Sequence, residues 1–219
     1  MDQIIGYTDK SKKYFSYERK EMLDFVPKNV KNILEVGCSA GLFGALLKQH
    51  LGASVTGIEL VSSAASEART RLDKVIEGNI ETDELDLPSN YYDCLIFNDV
   101  LEHLIDPWTT LAKLSKTLKP EGYVVASLPN MRHYIVFKDL FLNMDWHYQD
   151  HGILDRTHLR FFTFKTGREL FEQCGFNVLR LEGIRGEPFP WKFGTLNVLM
   201  NGRLDDMRYI QFAIQAQLA

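Results

Sequence analysis

Ile33-Leu-Glu-Val-Gly-Cys-Ser-Ala-Gly-Leu-Phe-Gly44 decides how the rest of the chain is read. Ile33 to Val36 is a short apolar run of the kind that forms a buried strand. Gly37 and Gly41 then allow a sharp turn and a close backbone approach to a ligand, because no Cβ stands in the way. Leu42 to His50 carries Leu42, Ala45 and Leu46 on one helical face, and Gly52 ends it. A strand, a glycine turn and a helix in this order form a ligand cradle, with the free N–H groups of the helix pointing into the turn.

The alternation continues outward. Val30 to Val36, Ser54 to Glu59, Val75 to Gly78 and Tyr92 to Phe97 read as strands. A helix capped by Ser62 or Ser63 runs to about Leu72, and another begins at Asp106-Pro107 and runs through Leu118. Lys119 to Gly122 reads as a turn feeding a fifth strand, Tyr123 to Leu128. After Leu128 the rhythm breaks into an aromatic, histidine-bearing stretch. It resumes with a helix near Gly167 to Cys174, a strand Asn177 to Glu182, a short helix at Leu196 to Met200, and a strand Tyr209 to Leu218 whose alternation suits an antiparallel pair. Upstream, Tyr14 to Phe25 has helical spacing and stops before Pro27. Alternating strands and helices predict an α/β fold with a mostly parallel, doubly wound sheet in a single domain. Residues 1–29 form an N-terminal helical cover, 30–128 the ligand-binding core, 129–166 a lid-like insertion, and 167–219 the C-terminal helix and strands.

The 219 residues, 45% hydrophobic and 25% charged, can bury one large core. A net charge of −4 gives no global basic field, so nucleic-acid binding is not favoured, although Lys10, Lys12, Lys13, Arg19 and Lys20 could make a local patch. No apolar run reaches membrane-spanning length and no signal-peptide core is present. Cys38, Cys94 and Cys174 are too sparse for a disulfide framework or a zinc site and read as packed thiols in the cytoplasm.

Two ligands suit the glycine turn. A dinucleotide wants G-x-G-x-x-G, but Ser39 stands where its second glycine belongs, and Glu35 would repel a pyrophosphate. S-adenosylmethionine carries an ammonium and a sulfonium, which a carboxylate at 35 favours. Glu59, at the end of the second strand, is placed to accept from two ribose hydroxyls of either ligand. Asn79 follows the third strand, and Asn98 and Asp99 close the fourth, all at the strand ends where such sheets bind ligands.

ILEVGCSAGLFG, GIEL, Gly78-Asn79 and FNDVLEHLIDP together resemble class I S-adenosylmethionine-dependent methyltransferases. The resemblance implies a Rossmann-like seven-stranded sheet with an antiparallel last strand. Carried over, Glu35, Gly37 and Gly41 form the methionine-side turn, Glu59 takes the ribose, Asn79 and Ile80 flank the adenine, and Asn98 lies near the methionine end, with Ser39, Leu60 and Asp99 as further cofactor-binding residues. The family commonly has glycine where Ser39 stands. RTHLRFFT is also similar to methyltransferases found with glycosyltransferases in bacterial surface-polysaccharide pathways, which implies a hydroxyl of a small molecule or sugar as acceptor. A homodimer is compatible with the chain.

His103 and His158 are the candidate bases for such chemistry. On a helix, Asp99, Glu102 and His103 would share one face, with His158 brought opposite by the insertion. His103 could equally serve only to hold a neighbouring backbone group. Asp99-x-x-Glu102-His103 followed by His158 also resembles the metal site of small-RNA 3′-end 2′-O-methyltransferases and part of that of ubiquinone-pathway O-methyltransferases. Asp99 is shorter than the usual glutamate, so a divalent ion is left open and not favoured. Metal-assisted RNA methylation and a non-catalytic cofactor-binding scaffold are the alternative functions. The insertion's Tyr134, Phe137, Phe141, Trp146, Arg156 and Arg160 suit a planar, sugar or phosphorylated acceptor.

Overall fold

The computed structural model describes residues 18–219. Seven strands form one sheet in the order β3-β2-β1-β4-β5-β7-β6: β1 Asn32–Val36, β2 Ser54–Glu59, β3 Lys74–Glu77, β4 Tyr92–Asn98, β5 Leu118–Pro129, β6 Phe176–Gly186 and β7 Tyr209–Leu218. β1 to β5 pair in parallel, whereas β7 runs antiparallel to both β5 and β6. The helices are α1 Leu42–Leu51, α2 Ser62–Ala68, α3 Pro107–Ser115, α4 Tyr134–Leu142, α5 Phe164–Gln173 and α6 Trp191–Leu199.

The central strands are apolar on both faces because helices cover both. Leu34, Leu95, Phe97, Val124 and Ala126 point toward Leu111, Leu170 and Phe171 of α3 and α5. Ile33, Cys94, Ile96 and Val125 point the other way, toward Phe43 and Leu47 of α1 and toward Met22 and Phe25. Strand order reverses about β1 and β4, so the carboxyl ends of these two strands open a crevice between their connections. Among the described residues no helix is long and apolar enough to cross a membrane.

Several elements differ from the sequence expectation. The segment Tyr14 to Phe25 is not one helix: residues 14–17 lie outside the described residues, Arg19 is left-handed (φ 52), and only the 3-10 turn Lys20–Phe25 follows. Neither Ser62 nor Ser63 caps α2; Val61 holds that position without a side-chain bond. The helix stops at Ala68, and the Ser66 and Thr70 hydroxyls bond to the Ser62 and Glu67 carbonyls, drawing on the acceptors of its own ladder. Lys119 to Gly122 bulges out within β5 instead of preceding it, with Glu121 at φ 59. α6 starts at Trp191, well before Leu196, and the stretch after Leu128 contains a regular helix, α4.

Candidate functional site

At the carboxyl ends of β1, β2 and β4 lies a cavity of about 880 Å³. Its floor is the glycine turn. Gly37 has φ 66, and a Cβ there would sit 2.6 Å from Val100 Cγ2. Ser39 is left-handed (φ 51), the geometry that makes glycine the easier residue at this place. Gly41 (φ 77) stands behind the cavity wall, where a Cβ would press on Ala68 and Leu72; it allows close packing of α2 instead of a ligand's approach.

Two carboxylates flank this turn. Glu59 is buried, and its oxygens accept from the backbone N–H groups of Ser39 and Val61, both at 2.8 Å. These bonds fix its orientation, and each oxygen keeps lone-pair capacity for a hydroxyl donor. Burial nevertheless pushes its carboxyl above the usual range. Glu35 lies deeper, beneath α1, accepting from the Gly44 N–H. Desolvation, reinforced by the charge of Glu59, pushes it up to about 8. One of its oxygens is buried with no hydrogen-bond partner. A side chain on Gly44 would collide with that oxygen at 2.7 Å, so the third glycine lets the helix sit over the acid.

Ile80, buried, and Leu60 line the next part of the wall. The Asn79 side-chain oxygen accepts from Glu81 N–H at 2.9 Å, shaping the loop after β3. At the end of β4, both polar atoms of the Asn98 amide are buried without a partner. A buried amide left unpaired costs about 1–3 kcal/mol, and such groups call for a ligand.

Asp99 does not share a helix face with Glu102 and His103. It is left-handed (φ 56), and the helical stretch behind it is only the 3-10 turn Leu101–His103. Asp99 turns instead to Arg19: the guanidinium pairs with both of its oxygens and also reaches Ser127 and Gln211. Gln211 Nε2 and Ser127 Oγ donate to Asp99 Oδ1 at 2.9 Å each. Ser127 and Gln211 were absent from the sequence reading; their signal was a polar residue facing inward in an apolar strand.

Glu102, His103 and His158 do come together, with ligand atoms all within 4.8 Å of one another and the two rings packed edge to face at 4.7 Å. His103 Nδ1 lies 3.1 Å from the Thr157 carbonyl and His158 Nδ1 2.9 Å from the Ile153 carbonyl. A carbonyl only accepts, so each neutral ring carries its proton on Nδ1 and its lone pair on Nε2. Glu102 is fully enclosed, neither carboxyl oxygen has a hydrogen-bond partner, and burial next to Asp99 raises its pKa well above the ordinary value.

The segment 155–160 brings His158 there. Asp155 accepts from Thr157 N and Oγ1, the Leu159 and Arg160 N–H groups donate to the Glu102 carbonyl, and Arg160 grips the Ile105 carbonyl. Arg160 is thus a backbone clamp. The insertion's aromatics are also elsewhere: Phe137 stacks on Phe141, Tyr134 and Phe137 pack on Phe193, Trp146 meets Phe161, and none of these rings lines the cavity. Tyr134 and Phe137 serve packing between α4 and α6, and Trp146 packs within the insertion.

A close-approach turn, an oriented buried carboxylate at the end of β2, apolar walls after it and an unpaired amide at the end of β4 fit S-adenosylmethionine. The comparisons agree. Residues 11–181 match the family described as methyltransferase domain. A ubiquinone biosynthesis O-methyltransferase of Yersinia enterocolitica is 32% identical over 107 residues, 46% of this chain and 43% of that protein. One of Aromatoleum aromaticum is 26% identical over 206 residues, covering 89% and 83%. This chain therefore spans less than half the length of the Yersinia relative. A Thermotoga maritima methyltransferase structure, a possible histamine N-methyltransferase, superimposes with a TM-score of 0.64 at 17% identity, covering 94% of this chain and 89% of that one, and shares the fold.

Proposed function

Because this chain belongs to the methyltransferase-domain family, we propose that it is an S-adenosylmethionine-dependent O-methyltransferase acting on a hydroxyl of a small molecule or sugar. The cofactor, when bound, supplies an electrophilic methyl group. In this reading Gly37 and Ser39 pass their backbone beneath the methionine end, and Asn98 offers its amide to the same end. Glu59 accepts from the ribose hydroxyls, and Leu60 and Ile80 enclose the adenine beside Asn79. The observation that carries the acceptor chemistry is the histidine pair. Both rings are held by Nδ1–H donation to carbonyls, leaving a lone pair on Nε2 of each. His158, which lines the cavity, takes the proton of the acceptor hydroxyl, and His103 orients it through the edge-to-face contact. The names of the Yersinia and Aromatoleum relatives favour oxygen as the methylated atom.

Turnover to S-adenosylhomocysteine across a hydroxyl-acceptor panel tests the activity. His158→Ala is expected to lower kcat by about 100-fold or more while cofactor affinity changes by less than about threefold. Equal losses in both would make His158 structural.

One observation favours a second reading, in which Glu102, His103 and His158 hold a divalent ion that receives the hydroxyl. Two Nε2 lone pairs and a buried, unpartnered carboxyl converge within 4.8 Å. Asp99, engaged by Arg19, is not a member of that set. Protein stripped with a chelator and shown to be metal-free should lose activity, with recovery on adding the ion; unchanged activity removes this reading.

A further inference from the structure

We propose that α6, with the adjoining α4, docks on an anionic lipid surface, dipping its apolar side chains among acyl chains and setting Lys138 and Lys192 at headgroup level. The inference goes beyond the methyltransferase reading and does not depend on it. α6 is built inside out. Its one buried side chain is Asn197, which donates to Asp205 Oδ1 at 2.7 Å and accepts from the Leu204 N–H at 2.8 Å. Its apolar residues face water instead: Trp191 and Val198 are 76% exposed and Leu199 80%. Trp191, Thr195 and Val198 stand at i, i+4 and i+7, the spacing of one helical stripe. An ordinary surface helix turns such a stripe toward the core.

α4 repeats the pattern. Only Val136 is buried, whereas Phe141 and Leu142 are 64% and 66% exposed, and Met144 just beyond the helix is 88% exposed. The two helices adjoin. Tyr134 and Phe137 of α4 meet the Phe193 ring of α6 at 5.6 and 6.2 Å, and Phe141 stacks on Phe137 at 4.5 Å. Apolar exposure on this scale marks a partner or a membrane surface. Among the described residues no helix is long and apolar enough to cross a bilayer, so the contact is peripheral.

Charge selects lipid over a second copy of the chain. The charged residues of α4 and α6 are Lys138, Asp139 and Lys192. Both lysines are exposed, while Asp139 is half-buried and accepts from Asn143 Nδ2 at 2.8 Å. Past the helix ends, exposed Asp145 and Arg203 offset each other. A second copy would bring the same two lysines, with no exposed acid of either helix to meet them. Anionic headgroups above acyl chains match both parts of the face. A lysine stem lies along apolar surface while its ammonium reaches outward. Trp191, with the Lys192 ammonium 5.7 Å from its ring, is of the residue type that settles at the membrane–water boundary. The chain as a whole carries −4, so attraction limited to this face would also orient the protein.

The test is co-sedimentation of the full chain with vesicles of phosphatidylcholine alone and of phosphatidylcholine mixed with phosphatidylglycerol. Wild type should partition onto the mixed vesicles. Val198→Ser with Leu199→Ser should lower that partition by about tenfold or more, the loss expected for several buried methyl groups. Lys138→Gln and Lys192→Gln should each cost about fivefold on the mixed vesicles and little on the neutral ones. Brominated acyl chains should quench tryptophan emission in wild type and far less in Trp191→Phe. These side chains are exposed, and circular dichroism melts report whether each variant keeps its fold, independently of any cofactor result. If wild type binds neither vesicle, or the variants bind as wild type does, the proposal fails. A dimer in sedimentation velocity that Val198→Ser with Leu199→Ser dissociates, without vesicle binding, would assign the face to a second copy instead.

Discussion

Glu35 sits in an environment at odds with a charged carboxylate. Its carboxyl is buried and pushed up to about 8, against a usual value of 4.5. Between those values the folded protein holds a proton that the unfolded chain releases. The group therefore contributes stability at low pH that is lost as pH rises through 8, by up to about 1.4 kcal/mol per pH unit. Thermal melts of the ligand-free protein should show wild type losing stability relative to Glu35→Gln between pH 5.5 and 8.5. A parallel pair of profiles would mean that Glu35 is ionised throughout. A cationic ligand at this end reverses the balance by favouring the carboxylate. Binding of S-adenosylmethionine at pH 7 should then release protons, seen as a buffer-dependent calorimetric heat that Glu35→Gln abolishes. Gly37 makes a different demand. At φ 66, with Val100 Cγ2 2.6 Å from any Cβ, Gly37→Ala is strained and overlapped at once. It should cost about 1–3 kcal/mol of stability and most of the cofactor affinity. Val100→Ala should recover the part due to overlap and leave the part due to φ. Arg19, Ser39, Asp99 and Arg185 are also left-handed non-glycine residues, and all four line the cavity.

At the scale of elements, the segment 155–160 behaves as a clasp, with backbone and guanidinium donors closing on the carbonyls of Glu102 and Ile105. Arg160→Ala should raise hydrogen-exchange rates for residues 155–160 and lower kcat, with little change in cofactor affinity. A change confined to affinity would show that the clasp serves the cofactor side. This element also marks where sequence reading stopped. The periodic elements were legible because local pattern and burial coincide: β2, β7 and the start of α1 lie where alternation and glycine placed them. Glu35, Gly37, Ser39, Glu59 and Asn98 were legible as wall residues because strand ends in this topology converge on one crevice. What failed depended on non-local partners. Asp99 looked like a member of the histidine face until Arg19, 80 residues away, claimed it. Arg160 looked like a ligand-binding group because nothing in its neighbourhood reveals that its acceptor is the Ile105 carbonyl. The insertion's rings looked like a substrate surface because Phe193, their packing partner, belongs to a helix more than fifty residues downstream.

Across the whole molecule, Arg19 links the N-terminal segment to three strands. Its guanidinium meets Asp99 after β4, Ser127 in β5 and Gln211 in β7, on the side of the sheet where parallel pairing gives way to antiparallel. Burial opposes a charge there, yet the neighbouring carboxylates, Asp99 foremost, keep the guanidinium pKa raised. The Arg19 charge is therefore supported by the carboxylates around it. Arg19 is buried and Asp99 half-buried, so removing one partner leaves the other poorly compensated at a cost below the about 3–5 kcal/mol of a fully buried pair, whereas removing both is cheaper. Arg19→Met and Asp99→Asn should each lower the melting temperature strongly. The double variant should be more stable than the sum of the single losses predicts, with a coupling energy of about 1–3 kcal/mol in a denaturant-unfolding cycle. Because Arg19 and Asp99 also wall the cavity next to Asn98, S-adenosylhomocysteine affinity should fall in the single variants and recover partly in the double. Additive losses in both stability and affinity would mean that other contacts, such as the packing of Met22 and Phe25, hold residues 18–25 in place, and that the ion pair is incidental to the site.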